Sequence, residues 1–318
     1  MARRVLSQYC NVMKACYFIQ THKNPNQIYR LVRTIKKSSP TAQILIGHDS
    51  TTCHLDMAPL QDLPEVALLT GNARAIRGDF SLLQPYFNAI NWLFEHNSDF
   101  EWLIYISGQD YPTQSLSKIE DFLSKTDYDG FMKYFDAFSD QCLWDESEVL
   151  KRYFCQYYRL PEWTGRLLLR MWKIQEFIPI ILSVFYGSLI GVRAKKTPFD
   201  ENLICYGGYQ WHTLSRKCVQ YIKDFVNQNP DIISYYQKTL VPDESLVQTI
   251  LINSNFFKIC NNNKRYVDFT GTDSGHARIL ANKDYETITN GSFHFARKFE
   301  QNADILDMLD AEIFQDLP

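Results

Sequence analysis

Apolar positions along the chain switch between continuous short runs and helical spacing. MKACYFIQ, residues 13–20, predicts a first buried strand, which runs into the polar group Thr21-His22-Lys23-Asn24. Asn24-Pro25 is a helix entry. Ile28, Leu31, Val32 and Ile35 follow at helical spacing, and Lys36-Lys37 sets positive charge at the negative end of the helix dipole. AQILIG (42–47) and EVALL (65–69) supply two more strands, and residues 80–94 a further helix. EWLIYIS (101–107), rich in aromatic and β-branched groups, is the strongest central-strand candidate. This alternation predicts an α/β fold with a mostly parallel central sheet flanked by helices. Its nucleotide-binding half covers about residues 12–135, with ligands beyond the C-terminal ends of the strands.

Gly108-Gln109-Asp110-Tyr111-Pro112 reads as a turn at such a strand end, and a short helix follows with Ile119, Phe122 and Leu123 on one face. Residues 130–134 predict another strand. Residues 136–198, aromatic and apolar, predict an inserted, largely helical acceptor-side segment. Further on, a helix is expected through Val226, Pro242-Asp243-Glu244 opens another, residues 265–269 form a strand, and a docking helix begins near Ala303. No internal repeat or Gly/Ser-rich linker divides the chain. The reading is one domain over 1–318, its second half spanning about 136–318.

The 318 residues carry 33 Lys+Arg against 36 Asp+Glu, a net charge of −3, which argues against a nucleic-acid partner but leaves room for a local basic pocket. Hydrophobic residues at 45% are ample for a folded core. The eight cysteines contain no CxxC pair, so scattered reduced thiols are expected rather than a metal site or disulfide framework. The uncharged run FIPIILSVFYGSLIGV (177–192) is shorter than a membrane span and holds Pro179. Burial is the simpler expectation for it. The sharper one is peripheral membrane contact, because Arg170 and Lys173 stand just upstream.

Several residues have a chemical and a structural reading side by side. Glu244, opening a helix, suits a general base that takes a proton from an acceptor hydroxyl, and equally suits a carboxylate stabilising the helix N-terminus. Asp243 shares that ambiguity. Arg297 and Lys298, between aromatic residues, suit a departing diphosphate, or form an ordinary solvated pair. Arg265 and Lys264 are weaker candidates for the same task. Asp110 suits a nucleotide or sugar hydroxyl, or simply its own turn. Tyr209 and Trp211 offer flat apolar faces to a sugar, with Gly207 and Gly208 permitting close approach, or pack in the core. Asp127-Tyr128-Asp129 superficially suits a divalent ion, but a capping role is preferred. No nucleophile elbow supports Ser-His-Asp hydrolysis.

Taken in order, His22 with Asn24-Pro25, His48-Asp49, IYISGQDYP, GGYQWHTLSR, VPDESLVQT, RYVDF and FARKF resemble the Core-2/I-branching β-1,6-N-acetylglucosaminyltransferase family, with relatives similar to peptide O-xylosyltransferases. The resemblance implies a GT-A-like fold and metal-independent, inverting transfer from a UDP-sugar. The expected donor is UDP-GlcNAc, with UDP-xylose as the alternative, and the acceptor a glycan or glycoconjugate hydroxyl. A catalytically inactive carbohydrate-binding protein is the competing class. It further implies Glu244 as base, Lys298 with Arg297 on the diphosphate, Asp110 on the donor side, and Gly207, Gly208 and Trp211 in the substrate motif. Arg278 is a candidate second phosphate cation. Without a persuasive anchor or cysteine-rich framework in the sequence, a cytoplasmic, bacterial-type homologue is expected, peripheral to the inner membrane if membrane-bound at all, acting in polysaccharide or glycoconjugate assembly.

Overall fold

β1 (Ala15–Thr21) is buried at every position, as a strand covered on both faces should be. The computed structural model describes residues 13–70, 74–171, 180–272 and 276–315. α1 (Pro25–Ser38) starts on proline, where no intrahelical N–H is lost, and turns Ile28, Leu31, Val32 and Ile35 inward. β2 (Gln43–His48) and β3 (Val66–Leu69) extend the sheet in parallel on one side of β1. The helix expected over 80–94 is two pieces. A 3-10 turn at Phe80–Leu82 is capped by Asp79, and α2 (Gln84–Glu95) restarts at Pro85. β4 (Trp102–Ser107) lies parallel on the other side of β1.

Residues 110–112, expected as a turn, form the short strand β5 (Asp110–Pro112). α3 (Leu116–Lys125) follows, and the single strand expected over 130–134 is divided into β6 (Gly130–Phe131) and β7 (Tyr134–Asp136). The largely helical reading of 136–198 is also corrected. α4 (Glu146–Tyr153) and α5 (Gly165–Met171) alternate with β8 (Cys155–Arg159), β9 (Ile180–Ser183) and β10 (Leu189–Arg193). These strands form an antiparallel sheet in the order β8-β10-β9. Gly191 permits it, because a Cβ there would lie 2.4 Å from the Tyr157 ring. Most of the apolar run 177–192 is thus strand and hairpin, although 177–179 fall outside the described residues.

β11 (Tyr206–Gly208), β12 (Thr213–Ser215), α6 (Arg216–Gln228), α7 (Pro230–Tyr236) and α8 (Leu246–Asn253) come next. β13 (Ile259–Cys260), β14 (Arg265–Val267), α9 (Tyr285–Thr289), β15 (Phe295–Arg297) and α10 (Asp304–Phe314) complete the described chain. The central sheet runs β13-β6-β12-β4-β1-β2-β3, with β12 antiparallel to its neighbours, so the expected mostly parallel sheet is present. Because β12 and β13 sit in the sheet begun by β1, the two halves of the chain interlock. Alternation along β1 builds two cores. Tyr17 and Ile19 pack with α1, α3 and α10, whereas Cys16 and Phe18 pack with α2, α6 and α8.

The second small sheet, β14-β15-β5, brings residues more than 150 positions apart in sequence into one register. Among the described residues the cysteines are unpaired. No described helix is long and apolar enough to cross a membrane.

Candidate active site

β1, β2 and β4 end at Thr21, His48 and Ser107, and a two-lobed cleft opens at those C-terminal ends, where an open α/β sheet receives its ligand. One lobe, about 540 Å³, is lined by Thr21, His22, Lys23, Asp49, Arg74 and Gly108. The other, about 420 Å³, is lined by Arg152, Tyr186, Tyr209, Asp243 and Glu244. Arg77, Gln210, Trp211, His276, Arg297 and Lys298 line both, so the lobes meet across them.

The junction is built by strand register. β15 pairs antiparallel with β5, which sets Arg297 opposite Asp110. Arg297 Nε lies 3.4 Å from Asp110 Oδ1, and its guanidinium sits 4.5 Å over the Trp211 ring. Tyr105 meets Trp211 edge-on, with ring centres 4.9 Å apart. The Tyr105 hydroxyl donates to Gln20 and accepts from Gln210 Nε2. A cation stacked on an aromatic ring therefore stands at the junction of the lobes.

Lys298 adjoins Arg297 on the same wall. Burial pushes its ammonium below the ordinary lysine range, and the nearby Lys23 and Arg297 charges push it the same way. A cluster of like charges that repel one another is stabilised by an anion placed among them. In the larger lobe, burial pushes Asp49 up, yet hydrogen bonds from Thr51 and the Ala75 N–H outweigh it and hold the acid below its usual range.

The acidic end has a different local cause. Val241 adopts φ 52° and ψ 49°, a left-handed conformation that costs a β-branched residue energy. Surrounding bonds hold it there: its N–H donates to Gly78 O at 2.9 Å, and its carbonyl accepts from the Tyr153 hydroxyl at 3.2 Å. Pro242–Glu244 then makes a separate 3-10 turn before Ser245 and α8, so Asp243 and Glu244 precede the helix that they were expected to open. Burial raises the Asp243 carboxyl to about 7, with the Glu244 charge adding to it. Burial raises Glu244 as well, against the pull of Arg152. Arg152 Nη1 donates to Glu244 Oε2 at 2.8 Å, while its other nitrogen pairs with Glu148 and its guanidinium lies 4.4 Å over Trp144.

Glu244, Asp243, Tyr209, Trp211, Arg297 and Lys298 are thus gathered around one cavity. Other candidates stand elsewhere. Asp110 has a side chain with no exposure and is engaged by Ser107 and Arg297, so it lies behind the cleft rather than on it. Arg265 is buried and hydrogen-bonded to Asn263 O at 2.7 Å and Thr213 Oγ1 at 3.2 Å, over the Phe295 ring, behind the lining of the smaller lobe and not part of it. Gly207 and Gly208 serve chain packing. A Cβ on Gly207 would meet Trp144 at 2.3 Å, and one on Gly208 would lie 1.9 Å from Lys133 O. Arg278 is held by Asp268 and Asp284 outside the cleft lining. Lys264 lies over Phe122, 5.2 Å from its centre.

Arg77 and Arg152 escaped the sequence reading. Arg77 follows a segment with no regular period, and folding alone carries it to His276, 199 positions away. The i, i+4 pair Glu148–Arg152 was a legible signal of an ordered arginine, but not of its second partner. No group of three metal-binding side chains stands among the described residues. Asp129 is taken up by Lys217 and by the Lys258 N–H.

Residues 182–294 match the family model described as Core-2/I-Branching enzyme. The chain is similar to a xylosyltransferase of Ciona intestinalis, with 22% identity over 96% of this chain and 35% of that protein. It is likewise similar to Xylosyltransferase 2 of Rattus norvegicus, with 23% identity over 96% of this chain and 34% of that protein. The chain therefore spans about a third of the length of these relatives. A solved galactosyltransferase LgtC structure with donor and acceptor sugar analogs aligns over 96% of this chain and 98% of that one at 10% identity, with a TM-score of 0.35. Overlap that slight carries no argument about fold or chemistry.

Proposed function

We propose that this chain, a relative of the Core-2/I-branching enzymes and of xylosyltransferases, is an inverting glycosyltransferase with a GT-A-like arrangement, using a UDP-sugar as donor. The observation that carries this reading is the polarity of the cleft. Lys23, Arg74, Arg77, Arg297 and Lys298 line the first lobe with Asp49, whereas Glu148, Asp243 and Glu244 line only the second, where Arg77, Arg152, Arg297 and Lys298 also stand. A diphosphate suits the cations and a hydroxyl-bearing acceptor suits the carboxylates, with the donor sugar between them over Trp211.

In the proposed step, the acceptor oxygen attacks the donor anomeric carbon while Glu244 takes the hydroxyl proton. The bond from that carbon to the phosphate oxygen breaks, and its electron pair leaves on UDP. Lys298 and Arg297 stabilise the charge that develops there. The displacement occurs in one step without an enzyme nucleophile, and inverts the anomeric centre. Asp110 contributes by aligning Arg297 from behind. No metal is assigned a part in this reading.

The named relatives are xylosyltransferases, which puts UDP-xylose ahead of UDP-GlcNAc as donor. The wider family resemblance keeps UDP-GlcNAc as the second reading. A glycan or glycoconjugate hydroxyl is the acceptor class. The test is a screen of UDP-xylose and UDP-GlcNAc against an acceptor panel after exhaustive chelation, with the product anomer resolved by NMR. An inverted glycoside from one donor is expected. Donor binding without transfer or hydrolysis across the panel would instead favour a carbohydrate-binding protein.

A further inference from the structure

α5 divides its residues sharply between two faces. Leu168, together with Thr164 from the turn just before the helix, is buried. The opposite arc carries Trp163, 78% exposed, with Leu167 at 53% and Leu169 at 51%. Arg166 and Arg170 stand on the same exposed arc. The adjoining acid, Glu162, is opposed by Arg74 at 4.0 Å. Leaving three large apolar side chains in water is unfavourable.

The start of α5 is joined to the cleft by one hairpin. The loop between β9 and β10 places Phe185 and Tyr186 in the lining of the acidic lobe. Two residues further on, Ser188 backs α5, with its hydroxyl 3.1 Å from where a Cβ on Gly165 would stand. The Ser188 carbonyl accepts from Leu160 N–H at 2.8 Å, tying the same loop to the approach into α5. Phe185 is itself 62% exposed, so an apolar side chain also stands at the cavity mouth.

We propose that the exposed face of α5 docks the protein on an anionic lipid surface, setting the mouth of the acidic lobe at headgroup level. Charge selects this occupant. Arginines interleaved with exposed tryptophan and leucine match an interface of lipid phosphates and acyl chains. Tryptophan favours that boundary. Docking as such is independent of the transferase reading. Its catalytic consequence, presentation of a lipid-borne acceptor hydroxyl to Glu244, rests on that reading.

The test is co-sedimentation with vesicles of phosphatidylcholine alone and of equimolar phosphatidylcholine and phosphatidylglycerol. The wild-type chain is expected to sediment with the mixed vesicles and much less with the neutral ones. Trp163→Ser with Leu167→Ser should lower binding at least about ten-fold. Arg166→Gln with Arg170→Gln should lower it roughly five-fold per arginine on mixed vesicles and little on neutral ones. These positions are exposed, and unchanged circular dichroism and melting confirm that the variants fold. Wild-type protein left in the supernatant with mixed vesicles overturns the proposal, as does either variant sedimenting like wild type. So does a solution dimer abolished by the Trp163/Leu167 change, since the face would then join two copies. Sedimentation involves no sugar transfer, so failure here leaves the proposed reaction untouched, and the reverse holds.

Discussion

Arg152 Nη1 holds Glu244 Oε2 at 2.8 Å, joining α4 to the turn before α8 across 92 positions of sequence. A carboxylate that must act at one point in a cleft gains orientation from such a partner, while burial keeps its basicity up. Replacing Glu244 by Gln preserves size and removes the base. The expected result is a loss of transfer of at least about a hundred-fold with donor affinity retained. Donor titration by calorimetry beside product assay separates the two quantities.

Removing the arginine tests the same pair from the other side. Arg152 opposes the upward push of burial on Glu244, so Arg152→Gln should raise that acid further. The deprotonated base then appears only at higher pH. The acidic limb of the pH–rate profile should move to higher pH, with a lower rate near neutrality and partial recovery above it. A loss of rate that is the same at every pH would refute this role.

Lys298 stands among other cations, and a bound diphosphate relieves their mutual repulsion. Lys298→Ala should weaken UDP binding about ten-fold and lower the turnover number as well, because charge on the leaving group grows in the transition state. The comparison to make is UDP against uridine. Equal weakening for both would show that the lysine does not address phosphate.

The pH dependence of stability follows from Asp243, whose carboxyl rises from 3.8 to about 7 on folding. Below about pH 4 this acid is protonated in both the folded and unfolded chains. As pH rises toward 7 the unfolded chain ionises first, so the contribution of this group to stability falls and is lost above about 7. Asp243→Asn should therefore flatten the decline in melting temperature between about pH 4 and pH 7. An unchanged slope would mean that the acid is ionised in the folded protein.

Gly208 offers a purely steric prediction. A Cβ there would stand 1.9 Å from Lys133 O and 2.9 Å from Gln248 Nε2. Gly208→Ala should cost about 3 kcal/mol or more, because the obstacle is backbone just before the paired strand β7 and not the tip of a mobile side chain. Thermal melting of the variant checks it.

What the chain alone determined follows from local physics. Continuous apolar runs marked β1, β2 and β4, and helical spacing after Asn24-Pro25 marked α1, because burial imposes a period on the sequence wherever an element has a covered face. Adjacent cations and carboxylates made Arg297-Lys298 and Asp243-Glu244 candidates with an ordinary structural reading beside the chemical one, and the ordered motifs carried the family likeness. The segment 136–198 was misread as mostly helical because its aromatic residues suit either state, and strand pairing there is settled by partners, not by propensity. Only the tertiary structure sorted the candidates into roles. Asp110 and Arg297 become neighbours through one register, Arg265 disappears beneath the sheet, Gly207 and Gly208 prove to be contacts of the chain with itself, and Arg152 reaches Glu244. Such relations depend on distance in space between residues far apart in sequence, a quantity that local periodicity does not contain.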